Sequence, residues 1–483
     1  MTSVTIHGAA GEIGGNKILV EDKDTKIFLD FGLSFSKWGS YFTPYLQPRK
    51  WSYISDFTKL GILPDLEGLY RPDFENRLRE SKTEPEYDGV VLSHPHLDHA
   101  GFLSYIRTEI PVHCSPGCKS ILQALEETGS GFHEYTKIKE AFKIRDSKTD
   151  PTKKVREYKS IIPRQLNLFK PKFTIDDLTI HTFPVDHSVA GANSFVIETS
   201  EGAIVYTGDI RFHGRKANYS KLFVEKAAEF DPVVMMSEGT RIGDKTTFGE
   251  LDLERKLYSL VSDISGLIIV NFPVRDTDRM KSFIAAAKSV DRKLVINMKQ
   301  AYTLSLLEQC CGAEVPRLDE INIFIPRKGW GILNDDNYPD YVQMKDYQYW
   351  EAELINKSNS VTDEDIKENP TDYIFRCDFY ELKFLFDVEP PEGSKYIRSV
   401  TEPVDEEMEI EKVKADNWLK LFNLYPYEQI HCSGHASGFE IKEMVDQISP
   451  KTLIPIHTET PKVFGDFHSN TVVKKLGGKF VLG

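Results

Sequence analysis

Through residues 1–210 the apolar positions come in short runs broken by glycine, proline and polar turns, a pattern of strands rather than long helices. "SVTIHGA" and "TKIFLDFG" read as strands, joined through "GEIGGNKILVE", whose glycines permit tight turns. "YDGVVLSHPHLDHAG" predicts a buried strand running into a loop and then a helix. "DLTIHTFPVDHSVAGANSFVIETS" and "GAIVYTGD" add strands, each ending in polar residues. From residue 245 the period changes. "FGELDLERKLYSLVSDI" predicts a helix, "GLIIVNF" a strand, and "DTDRMKSFIAAAKSV" a helix with Met280, Phe283, Ile284 and Ala287 at i, i+3, i+4, i+7. "KLVINM" and "QAYTLSLLEQCC" repeat strand and helix, and such alternation implies a parallel α/β unit. Residues 318–370 are irregular, aromatic and acidic, as in an insertion. From residue 413 a helix, "VKADNWLKLFNLY", leads through "EQIHCSGHASG" to another helix, then "TLIPIHTETP" and a closing strand "GKFVLG".

Composition narrows the class only a little. A chain of 483 residues supports two or three domains, and 40% hydrophobic with 28% charged residues is an ordinary folded balance. The 60 Lys and Arg against 74 Asp and Glu leave a net charge of −14, which argues against a general polyanion-coating protein. Nucleic acid stays open as a substrate, because a metal centre and a few local basic residues outweigh a distant negative surface. The acidic run "EPVDEEMEIEK" reads as a solvated face. Six cysteines form no paired framework, and Cys114 and Cys118 in "CSPGC" lack a matching second pair, so both read as buried thiols in a reducing compartment. No run approaches the ~20 apolar residues of a membrane span, and "MTSVTIHGAA" has no signal-peptide layout. The expectation is a cytoplasmic protein with no membrane partner.

The chemistry concentrates in "SHPHLDHAG". His94 and His96 occupy alternate positions of an extended loop and face the same way, while Asp98 and His99 enter the next turn from another direction. One such cluster can feed two adjacent ions. Zinc accepts these nitrogen and oxygen ligands, and a pair of ions can clamp the oxygens of a displacement.

"HPHLDH" matches the HxHxDH signature, and the chain thereby resembles the metallo-β-lactamase fold, a four-layered αββα sandwich. Asp30 in "FLDFG", His187 in "DHSVAG" and Asp209 in "YTGD" follow in the family's order. The resemblance implies that His94, His96 and His187 hold one metal, that Asp98 and His99 begin the second, and that Asp209 bridges both. Asp30 would orient a metal-bound histidine. His181 reads as an ordinary strand histidine, and His7, His113, His133, His213 and His468 have no motif around them.

The fold hosts many hydrolases, so the second half of the chain decides the branch. "VVMMSEGT" ends in Glu238, "HCSGHASG" carries His431 and His435, and "LIPIHTE" carries His457, with an α/β insertion between Glu238 and His435. This set resembles the β-CASP nucleases, and "IHCSGHASGFEIKEMVDQISPKTLIPIHTETPKVF" is similar to ribonuclease J. The resemblance implies a sandwich of residues 1–244 and 406–483 with an inserted β-CASP α/β cap at 245–405. It also implies that His457 completes the second metal's ligands and that Glu238 holds His435 as general acid on the leaving oxygen. A catalytic set of Asp98, Glu238 and His435 follows, with two zinc ions, manganese being the alternative.

Small residues at a helix start favour phosphate, which makes Ser433, Gly434 and Ser437 candidate phosphate contacts, with capping the other reading of Ser437. Where ribonuclease J carries a glycine-serine phosphate loop, this chain reads "RCDFYEL" after "TDYIF". Arg376, or Arg398 and Ser399 further on, are the candidate substitutes. "SFSKWGSYFTPYLQPRKWSY" (34–53) interleaves Trp38, Tyr41, Tyr45 and Trp51 with Lys37, Arg49 and Lys50, a pattern able to stack bases, or else to pack a loop or subunit interface. "WGILNDDNYPDYVQMKDYQYW" has the aromatics with few positive charges. The expected function is a dinuclear zinc ribonuclease acting on single-stranded RNA, by exo or endo cleavage, with a homodimer as the candidate assembly. The alternatives are a hydrolase of single-stranded DNA, a nucleotide or a small ester or thioester, and a binding protein that keeps the fold without turnover.

Overall fold

The computed structural model describes the chain except residues 44, 50–51, 76–83, 130, 132, 140–143, 157–160, 334 and 403–405. Two sheets form a sandwich. The first orders its strands Leu166–Leu168, Val112–Cys114, Gly89–Val91, Thr25–Leu29, Ile18–Asp22, Thr2–Ile6 and Gly478–Val481. The second orders Lys172–Ile175, Leu178–Pro184, Asn193–Thr199, Gly202–Tyr206, Val234–Ser237 and Thr452–Pro455. The pleat explains why these strands are apolar on both faces. In Thr25–Leu29, Ile27 and Leu29 point between the sheets at Phe195 and Ile204, whereas Phe28 points outward to Phe31 and Phe57. In Gly202–Tyr206, Ile204 and Tyr206 face inward, and Val205 meets the outer helices Ala217–Ala228 and Gly438–Ile448 through Phe223 and Met444. The order of layers is αββα.

The third sheet is wholly parallel, ordered Ser360–Val361, Asn322–Phe324, Lys293–Asn297, Tyr373–Arg376, Ile268–Asn271, Lys395–Arg398 and Glu428–Gln429. Helices cover both faces. Ile268, Val270 and Ile296 meet Leu257, Phe283 and Leu304 on one side, and Leu267, Ile269 and Val295 meet Leu382, Leu385 and Leu419 on the other. From Ile268–Asn271 the chain moves to one edge, returns to the middle at Tyr373–Arg376 and continues to the other edge. Connections therefore leave the centre in opposite directions, the arrangement that opens a crevice beyond the strands' carboxyl ends.

Two sequence boundaries need correction. The cap does not end at residue 405: helix Glu406–Leu421 buries Leu419 in the cap core, and Glu428 pairs with Ile397 in the cap sheet. An amphipathic helix declares an apolar face but not which domain covers it. Nor is 318–370 an irregular insertion, because Asn322–Phe324 and Ser360–Val361 form the sheet edge and Trp350 and Leu354 enter the core. Strands of two or three residues are too short to show a period.

The cap is tied to the sandwich by packing and by buried charge. Helix Pro116–Thr128 lies against Met298–Cys311, and Ile121, Val189 and Ala190 join the cap core. Arg211 bonds Asp186 at 3.0 Å and the cap's Asp278 at 2.9 Å. Arg279 bonds Glu250 at 2.8 Å and donates to the carbonyls of Ser399 and Cys432. Among the described residues no helix is long and apolar enough to cross a membrane.

Candidate metal centre

The donors sit where strands end. Asp30 follows Thr25–Leu29, His94 follows Gly89–Val91, Asp209 follows Gly202–Tyr206, Glu238 follows Val234–Ser237, and His457 follows Thr452–Pro455. Adjacent strands of facing sheets thus deliver their polar ends to one rim. His94 Nε2 and His187 Nε2 each lie 3.1 Å from His96 Nδ1, and Asp209 Oδ2 is 3.5 Å from His94 Nε2 and 3.7 Å from His187 Nε2. On the other side, His457 Nε2 is 3.1 Å from Asp98 Oδ2, and His99 Nε2 is 3.2 Å from Asp209 Oδ1. The donor atoms form two sets, His94, His96, His187 and Asp209, then Asp98, His99, Asp209 and His457, each within 4.8 Å, and a third set of the same spread joins Asp209 and His457 to Glu238 and His435. Asp209 is common to all three.

This donor chemistry fits cations. Three imidazole nitrogens facing one another cannot all find donors, and Asp209 Oδ1 is buried without a hydrogen bond among the described residues. Four of the rings, His94, His99, His187 and His457, are held from behind, which turns the other nitrogen inward. His187 Nδ1 donates to the Gly434 carbonyl at 2.6 Å, and His94 Nδ1 meets Ser93 Oγ at 3.0 Å. Thr240 Oγ1 meets His457 Nδ1 at 2.8 Å. Asp30, at φ +58°, accepts from His99 Nδ1, Ser93 N, Ser93 Oγ and the Tyr206 hydroxyl within 2.7 Å. His457 is also left-handed, φ +50°, a costly conformation for a residue with a side chain.

Two segments of the chain match families of known proteins. Residues 63–223 match the β-lactamase superfamily domain, and residues 427–463 match the Zn-dependent metallo-hydrolase RNA specificity domain. The chain therefore carries a β-lactamase superfamily domain together with an RNA-specificity segment. It is 22% identical over 475 residues to Ribonuclease J of Helicobacter pylori, covering 94% of this chain and 56% of that protein. It is 24% identical over 465 residues to Ribonuclease J 2 of Staphylococcus aureus, covering 94% and 68%. The chain thus spans little more than half the length of the Helicobacter relative. A crystal structure of a protein of unknown function from Enterococcus faecalis superposes with a TM-score of 0.72 over 100% of both chains, at 24% identity, a likeness of fold.

Within this frame, electrostatics divide the candidate ligands. Burial drives His94 and His187 well below the ordinary imidazole value and His96 to about 4, so all three present neutral nitrogens. Burial opposes the charge on His99, yet Asp209 and Asp30 raise it well above its ordinary value. Burial also works against the Asp98 and Asp209 carboxylates, and the surrounding histidines hold both below the usual range.

His435 stands beside the Asp209 edge. Its Nδ1 is 3.1 Å from both Glu238 oxygens and 3.8 Å from Asp209 Oδ2. Glu238 is fixed by the backbone N–H groups of Ile210 and Thr240. Burial opposes the charge on His435, but Glu238 and Asp209 raise it to about 9.

The candidate phosphate contacts are engaged elsewhere. Ser437 caps helix Gly438–Ile448, receiving Glu440 N and donating to the Glu440 carboxylate. The Gly434 carbonyl orients His187, and Ser433 Oγ accepts from His435 N at 3.2 Å. Arg376 is only 2% exposed and paired with Glu381 and Asp378, so its guanidinium is not available to a phosphate. Arg398 donates to the carbonyls of Val400 and Thr401 and to Gln429, and the Ser399 hydroxyl receives Arg279. In the first aromatic stretch Trp38 packs on Phe42 and Phe57 while Tyr45 is exposed; Lys50 and Trp51 lie outside the described residues. In the second, Trp350 is buried and Trp330, Tyr341 and Tyr349 are exposed. His181 pairs with Glu198 across its sheet, and His213 holds Glu440 at 3.0 Å.

Sequence reading missed Tyr206, Thr240 and Asn16, whose Nδ2 lies 3.0 Å from His99 Nε2. The position of Tyr206 and Thr240 beside a strand-end carboxylate was the available signal.

Proposed function

We propose that the protein is a dinuclear zinc-dependent ribonuclease that hydrolyses phosphodiester bonds of single-stranded RNA. The observation that carries this reading is the pair of donor sets sharing Asp209, with the Glu238–His435 couple 3.8 Å from that same carboxylate. Support for RNA comes from the RNA-specificity match at residues 427–463, which contains Ser433, His435 and His457, and from the ribonuclease J relatives. His94, His96 and His187 would hold one ion, Asp98, His99 and His457 the other, and Asp209 both. Bound there, two divalent cations would supply an activated water and offset charge on the phosphoryl oxygens. The chain's own residues do the rest. Glu238 keeps the His435 proton in place at neutral pH, and the other ring nitrogen, without a partner among the described residues, can deliver it to the leaving oxygen. Asp30 and the Gly434 carbonyl fix the rings of His99 and His187 so that no ligand must reorient.

The test is one RNA labelled at either end, carrying a 5′ hydroxyl, monophosphate or triphosphate, beside a matched DNA, with zinc or manganese. Cleavage of the RNA that Asp98→Ala abolishes is expected, and product ladders report exo or endo action. Intact RNA with no difference between wild type and Asp98→Ala sinks the reading. The internal pairing of Arg376 favours a second one, a smaller phosphodiester, nucleotide or ester, because it leaves the cap without a preformed terminal-phosphate pocket at that strand. Turnover of such compounds without RNA or DNA cleavage would establish it.

A further inference from the structure

Several arginines stand near the carboxyl ends of the cap's central strands, and most are already paired. Arg376 is bound by Glu381 and Asp378, Arg279 by Glu250, and Arg398 by backbone carbonyls and Gln429. Arg275 differs. It lies in the loop between strand Ile268–Asn271 and helix Thr277–Ser289, at the carboxyl end of a central strand. It is half-buried, and among the described residues no acceptor hydrogen-bonds or pairs with its guanidinium. The two acidic neighbours that would neutralise it are turned away. Asp276 caps the helix through Arg279 N, and Asp278 takes Arg211.

The loop carrying Arg275 is nonetheless joined to the sandwich beside the donor cluster: Asp278, three residues on, takes Arg211, which also bonds Asp186, the residue before His187. Burial lowers His133 and raises the Tyr135 hydroxyl, and the charge of Arg275 acts at both. Their rings stack with centroids 5.5 Å apart in the sandwich. A guanidinium offers five donors in a planar fork matched to phosphate oxygens, and leaving such donors partly desolvated without acceptors is unfavourable. A ligand with anionic oxygens removes that cost.

We propose that Arg275 is a phosphate-contacting residue of the substrate cleft, donating to non-bridging oxygens of a nucleotide at or beside the scissile bond. This rests on the ribonuclease reading and assigns to the cap loop the role that Arg376 and Arg398 do not fill.

The experiment compares the metal-loaded full chain with Arg275→Lys and Arg275→Gln on single-stranded RNA over a series of salt concentrations. A small diester, bis(p-nitrophenyl) phosphate, and melting temperature are measured alongside. Arg275→Gln is expected to lower kcat/KM for RNA by about 10–100-fold, chiefly through KM. The slope of log(kcat/KM) against log salt should shrink by about 0.7, the loss of one single-strand phosphate contact. Arg275→Lys should keep the slope and recover part of the affinity, and melting temperatures should stay alike. Equal KM and salt slope in wild type and Arg275→Gln, with RNA still cleaved, overturns the assignment alone. Wild type that neither binds nor cleaves RNA overturns the ribonuclease reading and this assignment with it.

Discussion

At His435 two carboxylates compete with burial for one proton, and they win, holding the imidazole at about 9. Their contributions differ in kind. Asp209 is shared between the two donor sets assigned to the ions, so cations bound there would offset its pull, whereas the Glu238 carboxylate, among the described residues, is hydrogen-bonded to His435 and to the backbone N–H groups of Ile210 and Thr240. Glu238 should therefore set the proton affinity in the loaded enzyme. A general acid works only while protonated, so kcat is retained below the His435 value and falls as pH rises through it. Glu238→Gln preserves shape and removes charge, and it should move the alkaline limb of the kcat profile downward by about 1–3 pH units. A limb that stays in place in that variant would remove Glu238 from this role. Asp30 shows the complementary device: a left-handed backbone aims one carboxylate at four donors and fixes the tautomer of His99.

Between elements, the site depends on loops approaching closer than side chains allow. A Cβ on Gly32 would sit 1.6 Å from the Asp98 carbonyl oxygen and 2.5 Å from His99 N, both backbone atoms that cannot give way. The strand end carrying Asp30 and the turn carrying Asp98 and His99 are thus interlocked. Gly32→Ala should cost about 1–3 kcal/mol or more in urea unfolding and lower the zinc stoichiometry at the Asp98, His99 and His457 set. Unchanged midpoint and zinc content would mean that the two loops separate without consequence. The elements themselves were largely readable. The spacing of Met280, Phe283, Ile284 and Ala287 gives helix Thr277–Ser289, and polar residues closing each apolar run locate Asp30, His94 and Asp209 at strand ends. What escaped depends on partners remote in sequence. Helix Glu406–Leu421 belongs to the cap through Leu419, and no pattern within the helix says so. Arg376 is a different case, since Asp378 and Glu381 stand beside it in "RCDFYEL" and local charge alone could have withdrawn it. Arg275 misleads in the opposite direction, because its acidic neighbours in "VRDTD" are used elsewhere.

At the scale of the whole molecule, the donor rim is built by the sandwich and the cap packs against it, so the junction between them bears on the site. Arg279 stands at that junction, fully buried, bonded to Glu250 within the cap and to the Cys432 carbonyl where the chain re-enters the sandwich. Cys432 is followed by Ser433, Gly434 and His435, so the arginine also anchors the segment that orients His187 and carries the proposed acid. Two opposed accounts of such a pair are possible in principle: that it stabilises, or that it positions. Charges withdrawn from water regain little net stability from each other, but losing one partner strands the other. Arg279→Ala should therefore destabilise by about 3–5 kcal/mol, leaving Glu250 buried and uncompensated. The double variant Arg279→Met with Glu250→Leu removes both charges at similar volume and should recover most of that stability. Activity separates the two accounts. If the pair only stabilises, the double variant recovers RNA cleavage together with its urea midpoint. If it positions the 432–435 segment, stability returns while kcat stays low, because no donor remains for the Cys432 carbonyl. The carbonyl contact at 2.9 Å favours the second outcome.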